Sequence, residues 1–374
     1  MSMDRRTFVK YTGLGALAAG CLKSAPALAD FSYLRSNRQL KILILGGTAF
    51  LGPAIVRYAR SQGHQLTLFT RGKTNANLFP DIEMLVGDRD GNLEALKNRQ
   101  WDVVIDTSGY IPRLVTDSAK LLAGNIGQYI FISSISVFAD FSVRGLDESS
   151  PVGVLEDETV EEITGLTYGP LKALCEQAAE KVMRGRTTNI RPGLIVGPMD
   201  RSDRFTYWPV RIAEGGEVLT PESPDVVTQI IDVNDLAMFI VRCAERNITG
   251  TFNATSPTGE LTMGEIFETC KKVSGSDATF TYVSHEFMVE KELHEWSDIP
   301  VYVPLDGADA GHPFINVNKA LRKGLTFRPI SETIRDTLDW WATVPQERRD
   351  RPMRSGLTAE REREALEAWH DEHG

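Results

Sequence analysis

The segment that most constrains this chain is an apolar run ending in a glycine-rich turn. Leu40-Lys41-Ile42-Leu43-Ile44-Leu45 leads directly into Gly46-Gly47-Thr48-Ala49-Phe50-Leu51-Gly52, and Pro53 to Gln62 then reads as a helix closed by Gly63. Strand, tight turn and helix in that order need a residue without a side chain at Gly46. A second such residue, Gly52, lets the helix pack on the strand. Backbone around Ala49 is then free to approach a pyrophosphate. The helix start offers it unbonded N–H groups and the positive end of a dipole.

The same alternation continues. Leu66 to Thr70, Met84 to Val86, Asp102 to Asp106 and Tyr129 to Ser133 read as strands. Leu93 to Asn98, Val115 to Ala123 and Tyr168 to Met183 read as helices, and Asn189 to Val196 as one more strand. Strands alternating with helices predict an α/β fold, a Rossmann-type doubly wound parallel sheet with helices on both faces. Near-continuous Ile, Leu and Val in the strands is what burial on two sides requires. We expect residues 38–200 to form this NAD(P)-binding unit. Residues 201–345 hold more Pro and Gly, longer loops and the aromatic run Phe205-Thr206-Tyr207-Trp208. They are expected to form a smaller substrate-binding region, with the chain returning to the Rossmann core in helical patterning from Asn316 to Trp341. The tail, 346–374, is charge-rich, with Ala359 to Trp369 either a terminal helix or a frayed, solvated end.

The first 29 residues read as a signal and not as fold. Arg5-Arg6 stands two places before Phe8, a short apolar run spans Leu14 to Ala19, and Ala27-Leu28-Ala29 offers small residues to a signal peptidase. The apolar run is far short of the ~20 residues that span a bilayer. We therefore expect export to the periplasm by the twin-arginine translocase, with Cys21 in a lipoprotein-like context as an alternative lipid anchor. These residues carry four basic groups and one acidic group, so the remainder holds 37 basic and 50 acidic residues, a net charge of −13. Such a surface repels phosphate backbones and argues against nucleic acid as a partner. Cys175, Cys243 and Cys270 are too sparse for a disulfide framework and read as small buried hydrophobes. No His/Cys/Asp cluster has metal-ligand spacing, so no metal is expected.

Several residues carry candidate chemistry. The second strand ends in Phe69-Thr70-Arg71-Gly72-Lys73, with no acidic group to bond a ribose 2′-hydroxyl. Arg71 and Lys73 instead suit a 2′-phosphate, which favours NADP over NAD. Asp88 and Arg89 close the third strand as candidate cofactor contacts, where Asp88 is either an acceptor for an adenine amine or a turn residue. Ser134 ends the fifth strand, on the sheet edge where ligands bind in such folds. Tyr168 and Lys172 lie four apart and share a helix face. A cation beside a phenol lowers its pKa, so Lys172 is expected to bring Tyr168 toward proton exchange near neutral pH. Ser134 would hold the same substrate oxygen in line.

The order Gly-Gly-Thr-x-Phe-Leu-Gly, Ser-Ser-x-x-Val-Phe, Tyr-x-x-x-Lys and Arg-Pro-Gly-Leu-Ile-Val-Gly-Pro (Arg191 to Pro198) resembles the extended short-chain dehydrogenase/reductase superfamily, in its NAD-dependent epimerase/dehydratase group. Gln229 to Ala237 is a further match, and the resemblance runs from about Lys41 to Trp341. It implies Ser134, Tyr168 and Lys172 as the catalytic set, with Tyr168 as general acid/base and Lys172 on the nicotinamide ribose. It implies cofactor contacts at Gly46, Thr48, Ala49, Phe50, Leu51 and Gly52. Thr107, Ser108 and Gly109 would pass the ribose, and Pro192, Gly193, Leu194 and Ile195 the nicotinamide. Two departures stand out: Ala49 replaces the middle glycine of the fingerprint, and Asp106-Thr107-Ser108-Gly109 replaces the usual apolar end of the fourth strand.

The chain also resembles plant chloroplast stem-loop RNA-binding proteins of the same superfamily, a rival non-redox reading. For an exported protein, redox-neutral chemistry on a tightly held cofactor is expected, acting on a sugar or polyol. A plain reductase is the second enzymatic reading, and a homodimer is left open. Arg204, Tyr207 and Trp208 are the candidate substrate residues. Trp296, Tyr302 and His312 are further aromatic groups in the same region.

Overall fold

The computed structural model describes residues 38–373. The twin-arginine segment, its cleavage site and Cys21 lie outside the described residues. The described residues form one compact unit.

The first half runs β1 (Lys41–Leu45), α1 (Leu51–Ser61), β2 (Gln65–Thr70), β3 (Glu83–Val86), β4 (Val103–Asp106), α2 (Pro112–Leu122), β5 (Gln128–Ile132), α3 (Tyr168–Val182), β6 (Thr187–Pro192) and β7 (Leu194–Val196). The second runs α4 (Tyr207–Ala213), β8 (Glu217–Pro221), β9 (Ile230–Asp232), α5 (Val233–Glu245), β10 (Gly250–Ala254), α6 (Met263–Ser274), β11 (Thr279–Val283), α7 (His285–Glu290), α8 (Asn318–Arg322), α9 (Ile330–Thr343), α10 (Gln346–Arg349) and α11 (Ala359–His373). The main sheet has seven strands in the order β10-β6-β5-β4-β1-β2-β3, all parallel.

The alternation along β1 shows how the sheet is buried twice. Ile42 and Ile44 point into one core, with α1 and α5; Leu43 and Leu45 point into the other, with Val115 and Leu122 of α2 and Cys175 and Ala179 of α3. All four are fully buried, as a parallel sheet covered on both faces requires. From β1 the chain winds to β2 and β3, then returns to the opposite side of β1 as β4. Loops leaving β1 and β4 therefore diverge and open a crevice at the carboxyl ends of the strands.

A second core gathers α4, α6, α9 and the β8–β11 pair around Trp208, Phe205, Phe267 and Ile334. From β9 the chain runs through α5 to β10, which joins the main sheet at its edge beside β6. The tail is a docked helix: Leu357, Ala365 and Leu366 are buried in the second core. Buried Glu362 accepts from Arg211 Nε at 2.5 Å and Leu219 N at 3.1 Å. Two local expectations change. Leu93 to Asn98 forms only one 3-10 turn, Glu94–Leu96, because Lys97 turns extended and Asn98 adopts φ +60°. The strand expected over Asn189 to Val196 breaks at Gly193, whose N–H bonds Ala254 O at 3.0 Å; β7 then pairs with β9 in a separate two-stranded sheet.

Candidate active site

The crevice is a cavity of about 980 Å³. One wall is the glycine turn. Gly46 sits at φ +108°, and a Cβ there would stand 2.4 Å from Thr107 Oγ1. A Cβ on Gly52 would stand 2.5 Å from Gly47 Cα. Thr48, Ala49, Phe50 and Leu51 line the cavity. No side chain caps α1, and Phe50 precedes it at φ +43°, a conformation costly for an aromatic residue. Gly52→Ala is expected to cost about 1–3 kcal/mol through overpacking against backbone. Its denaturation midpoint should fall together with its retained nucleotide.

At the far end of the crevice, Arg71 and Lys73 are exposed and line the cavity with Asp88. The Asp88 carboxylate accepts from Asp90 N at 3.1 Å, a turn contact. Arg89 also lines the cavity but is committed elsewhere. Its Nη1 donates to Asp106 Oδ1 at 2.7 Å and its Nη2 to Ser118 Oγ at 2.7 Å. Tyr129 OH donates to Asp106 Oδ2, also at 2.7 Å. This network explains the unusual end of β4: Asp106 is completely buried, and Arg89 and Tyr129 compensate its charge. Thr107 and Ser108 line the crevice, their hydroxyls donating to Leu45 O at 3.0 and 3.1 Å. Gly109 stands behind them, a Cβ there meeting Phe131 at 2.5 Å. Pro192, Gly193, Leu194 and Ile195 form the opposite lip.

Ser134, Tyr168 and Lys172 come together at this lip. Ser134 caps a 3-10 turn: its Oγ accepts from Ser136 N at 3.1 Å and donates to Ser136 Oγ at 3.0 Å. Tyr168 opens α3, with Pro170 in the first turn where its missing N–H costs nothing. Lys172 is buried, and its Nζ donates to Gly109 O at 2.7 Å and Ile132 O at 2.6 Å. Burial pushes its ammonium down to about 8.

The electrostatics of Tyr168 differ from expectation. Burial raises the phenol above its ordinary value, and a hydrogen bond with Ser134 and the charge of Arg204 pull it back down. Arg204 is the cation that lowers Tyr168, while the Lys172 ammonium donates to two backbone carbonyls. Four spacing on a helix placed Lys172 near the phenol, but its own hydrogen bonds set its direction.

The other substrate candidates divide. Arg204 lines the crevice, as do Trp296 and His312. Tyr207 and Trp208 do not. Both are buried in the second core, Trp208 with its ring 4.5 Å from Phe267 and its Nε1 donating to Pro300 O at 2.6 Å. Tyr302 is buried there too, its OH donating to Glu222 at 2.6 Å. Beginning α4 at Tyr207 turns those rings inward and leaves Arg204, on the preceding loop, facing the cavity. Tyr110, Ile163, Asp200 and Ser202 also line it and fall outside the expected set. The charged run Asp200-Arg201-Ser202-Asp203-Arg204, two residues after Pro198, is the signal that could have found the last two. The three cysteines are buried thiols, as expected, with burial pushing Cys175 and Cys243 up to about 12.

The chain is 27% identical over 272 residues to the chloroplast stem-loop binding protein of 41 kDa b from Arabidopsis thaliana, a match covering 65% of each chain; it thus spans just under two thirds of that relative's length. It is 22% identical over 281 residues to the bifunctional pinoresinol-lariciresinol reductase 3 of Thuja plicata, covering 67% of this chain and 81% of the reductase. In fold it is similar to WbmG of Bordetella bronchiseptica, solved with NAD and UDP, at a TM-score of 0.61 and 16% identity over 83% of this chain and 96% of that one. It is likewise similar to the UDP-N-acetylglucosamine 4-epimerase of Bacillus cereus, at a TM-score of 0.57 and 19% identity over 81% and 99% of the two chains. Residues 42–254, more than half of the chain and nearly all of the crevice, match the model of one family, and the chain belongs to that family, the NAD dependent epimerase/dehydratase family.

Proposed function

We propose that this protein is an NAD(P)-dependent oxidoreductase of the epimerase/dehydratase type that acts on a hydroxyl of a sugar or polyol by transient oxidation, with its cofactor retained through turnover. The observation that carries the reading is the convergence of Ser134, Tyr168 and Lys172 at one end of a crevice whose other wall is the glycine-rich turn. The residues present fit a dinucleotide. Gly46 and Gly52 permit the tight turn from β1 into α1, since a Cβ at either would strike Thr107 or Gly47, and Ser133 Oγ is buried in the crevice with no partner among the described residues. The α1 turn would hold the diphosphate, and Arg71 and Lys73 a 2′-phosphate, which favours NADP. When bound, the nicotinamide supplies a hydride acceptor and donor.

The protein's own groups manage the proton. Tyr168 Oη takes the hydroxyl proton of the substrate and returns it. Ser134 Oγ, itself oriented by Ser136, bonds the same oxygen and fixes its line of approach. An ammonium has three N–H donors and two of those on Lys172 are spent on carbonyls, so the third would be left for the ribose of a bound cofactor. The Arg5-Arg6 signal and the Ala27–Ala29 site support export in the folded state, with the cofactor carried along.

The test is nucleotide content. The exported protein, extensively dialysed and then denatured, is expected to release close to one equivalent of NADP(H) or NAD(H) per chain, with NADP(H) predominating. An empty protein that needs freely exchanging nucleotide for activity would overturn retention and favour a plain reductase. The likeness to a stem-loop binding protein supports a second reading, a binder without turnover; the intact catalytic set and the charge of −13 weigh against it.

A further inference from the structure

Arg204 differs from the other half-buried arginines in what its terminal nitrogens meet: those of Arg186 and Arg242 donate to backbone carbonyls. Arg89, Arg191, Arg211, Arg328 and Arg348 each hold a carboxylate within ion-pair distance. Arg204 holds none among the described residues. Its Nε donates to Ser202 Oγ at 3.2 Å, and its guanidinium carbon lies 5.8 Å from the centre of the Trp296 ring. Its two terminal nitrogens have no partner among the described residues, and the side chain lines the crevice beside Tyr168. A guanidinium withdrawn from water on a site wall, with its fork of donors unused, is arranged to meet a planar anion.

The surroundings define which anion. Asp200 is the nearest acid, and Ser202 holds both its oxygens: Oδ1 accepts from the Ser202 N–H and hydroxyl at 2.8 Å, and Oδ2 lies 2.9 Å from the same hydroxyl. Burial also raises its carboxyl above the ordinary range. His312 cannot serve as a second cation. It is stacked on Phe141 at 5.1 Å and set against Trp296 at 4.8 Å, and burial and Arg204 push its imidazole down to about 4. The wall around Trp296 and His312 thus offers one half-buried guanidinium with unused donors, an aromatic face and a neutral hydrogen-bonding ring; Arg201 also lines the crevice but is exposed. That matches a singly charged carboxylate, whereas a phosphate dianion would bring a second charge into a partly dehydrated site.

We propose that the substrate carries a carboxylate close to the reacting hydroxyl, in the manner of a uronic or aldonic acid, and that Arg204 anchors it while Trp296 covers the sugar face. This rests on the reading of the crevice as a sugar or polyol site and narrows it to acidic members of that class.

The test uses the dialysed holoprotein and matched probes: galacturonate, glucuronate and gluconate, each against its methyl ester, titrated by calorimetry at neutral pH. At least one acid is expected to bind about 10- to 100-fold more tightly than its ester, the range for a charge-assisted hydrogen-bonded contact. Arg204→Met should erase that preference and Arg204→Lys should restore part of it, with nucleotide content equal in all three proteins as a check on folding. Equal binding of acid and ester, or binding of neither across the panel, overturns the inference. If nucleotide is retained in that case, the redox reading stands without it. An acid preference in a protein that holds no nucleotide would keep the anion site and end the redox reading instead.

Discussion

Replacing Tyr168 by Phe is expected to lower turnover by about 10²–10⁴-fold, the contribution of one positioned acid/base, with nucleotide content unchanged. The substitution removes one oxygen and leaves the ring in place against Tyr110, whose ring centre is 6.4 Å away. Ser134 and Lys172 keep their own bonds to Ser136, Gly109 and Ile132, so the loss reports proton transfer and not collapse of the site. The pH profile carries a second signature. Burial favours the neutral phenol, and Ser134 and Arg204 oppose it. The active base is the phenolate, so kcat/KM in the direction of hydroxyl oxidation should rise toward alkaline pH as Tyr168 ionises. Phenylalanine has no such group, and the limb assigned to Tyr168 should vanish from the residual activity. A protein that only binds a ligand or RNA would bind as well after Tyr168→Phe as before, and retention of full function in this variant would exclude the catalytic assignment.

Arg89→Met is expected to destabilise the protein by about 3–5 kcal/mol, the cost of stranding one member of a buried ion pair. Asp106 is completely enclosed, and after the substitution Tyr129 OH and the Ser108 N–H are the hydrogen-bond donors left to its carboxylate among the described residues, with the Lys172 charge nearby. Methionine fills much of the aliphatic space of the arginine, so the effect is electrostatic more than steric. Urea denaturation should show a lower midpoint at neutral pH. Removing both charges with Arg89→Met and Asp106→Leu should recover part of the loss, because well-packed apolar groups often replace a buried pair at little cost. The recovery will be incomplete, since Tyr129 OH then loses its acceptor. If the single variant is as stable as the parent, the network is not compensating Asp106. A nucleotide affinity that falls without any loss of stability would instead return Arg89 to the cofactor contacts expected from the sequence.

What the sequence determined by itself is the part of this protein written in local pattern. Double-sided burial leaves its mark on every strand, so Ile42, Leu43, Ile44 and Leu45 announce a parallel sheet before any contact is known. Gly46 and Gly52 announce the turn because no other residue has room there, and Pro170 marks the start of α3 because it lacks an N–H. The crevice and the meeting of Ser134 with Tyr168 follow from that topology, since both residues sit at carboxyl-edge positions of one sheet. What only the tertiary structure decided is direction and partnership. Arg89 reads as a free cation until Asp106, 17 residues away, is seen to claim it. Lys172 shares a helix face with Tyr168, yet two carbonyls from other segments draw its charge away. Tyr207 and Trp208 look like ligand-binding aromatics in the linear chain, but α4 turns them into a core and exposes Arg204 to the crevice. Helix and strand periods specify which residues share a face. Which neighbour a charged side chain finds on that face depends on segments distant in sequence, and this decided the electrostatics of the site.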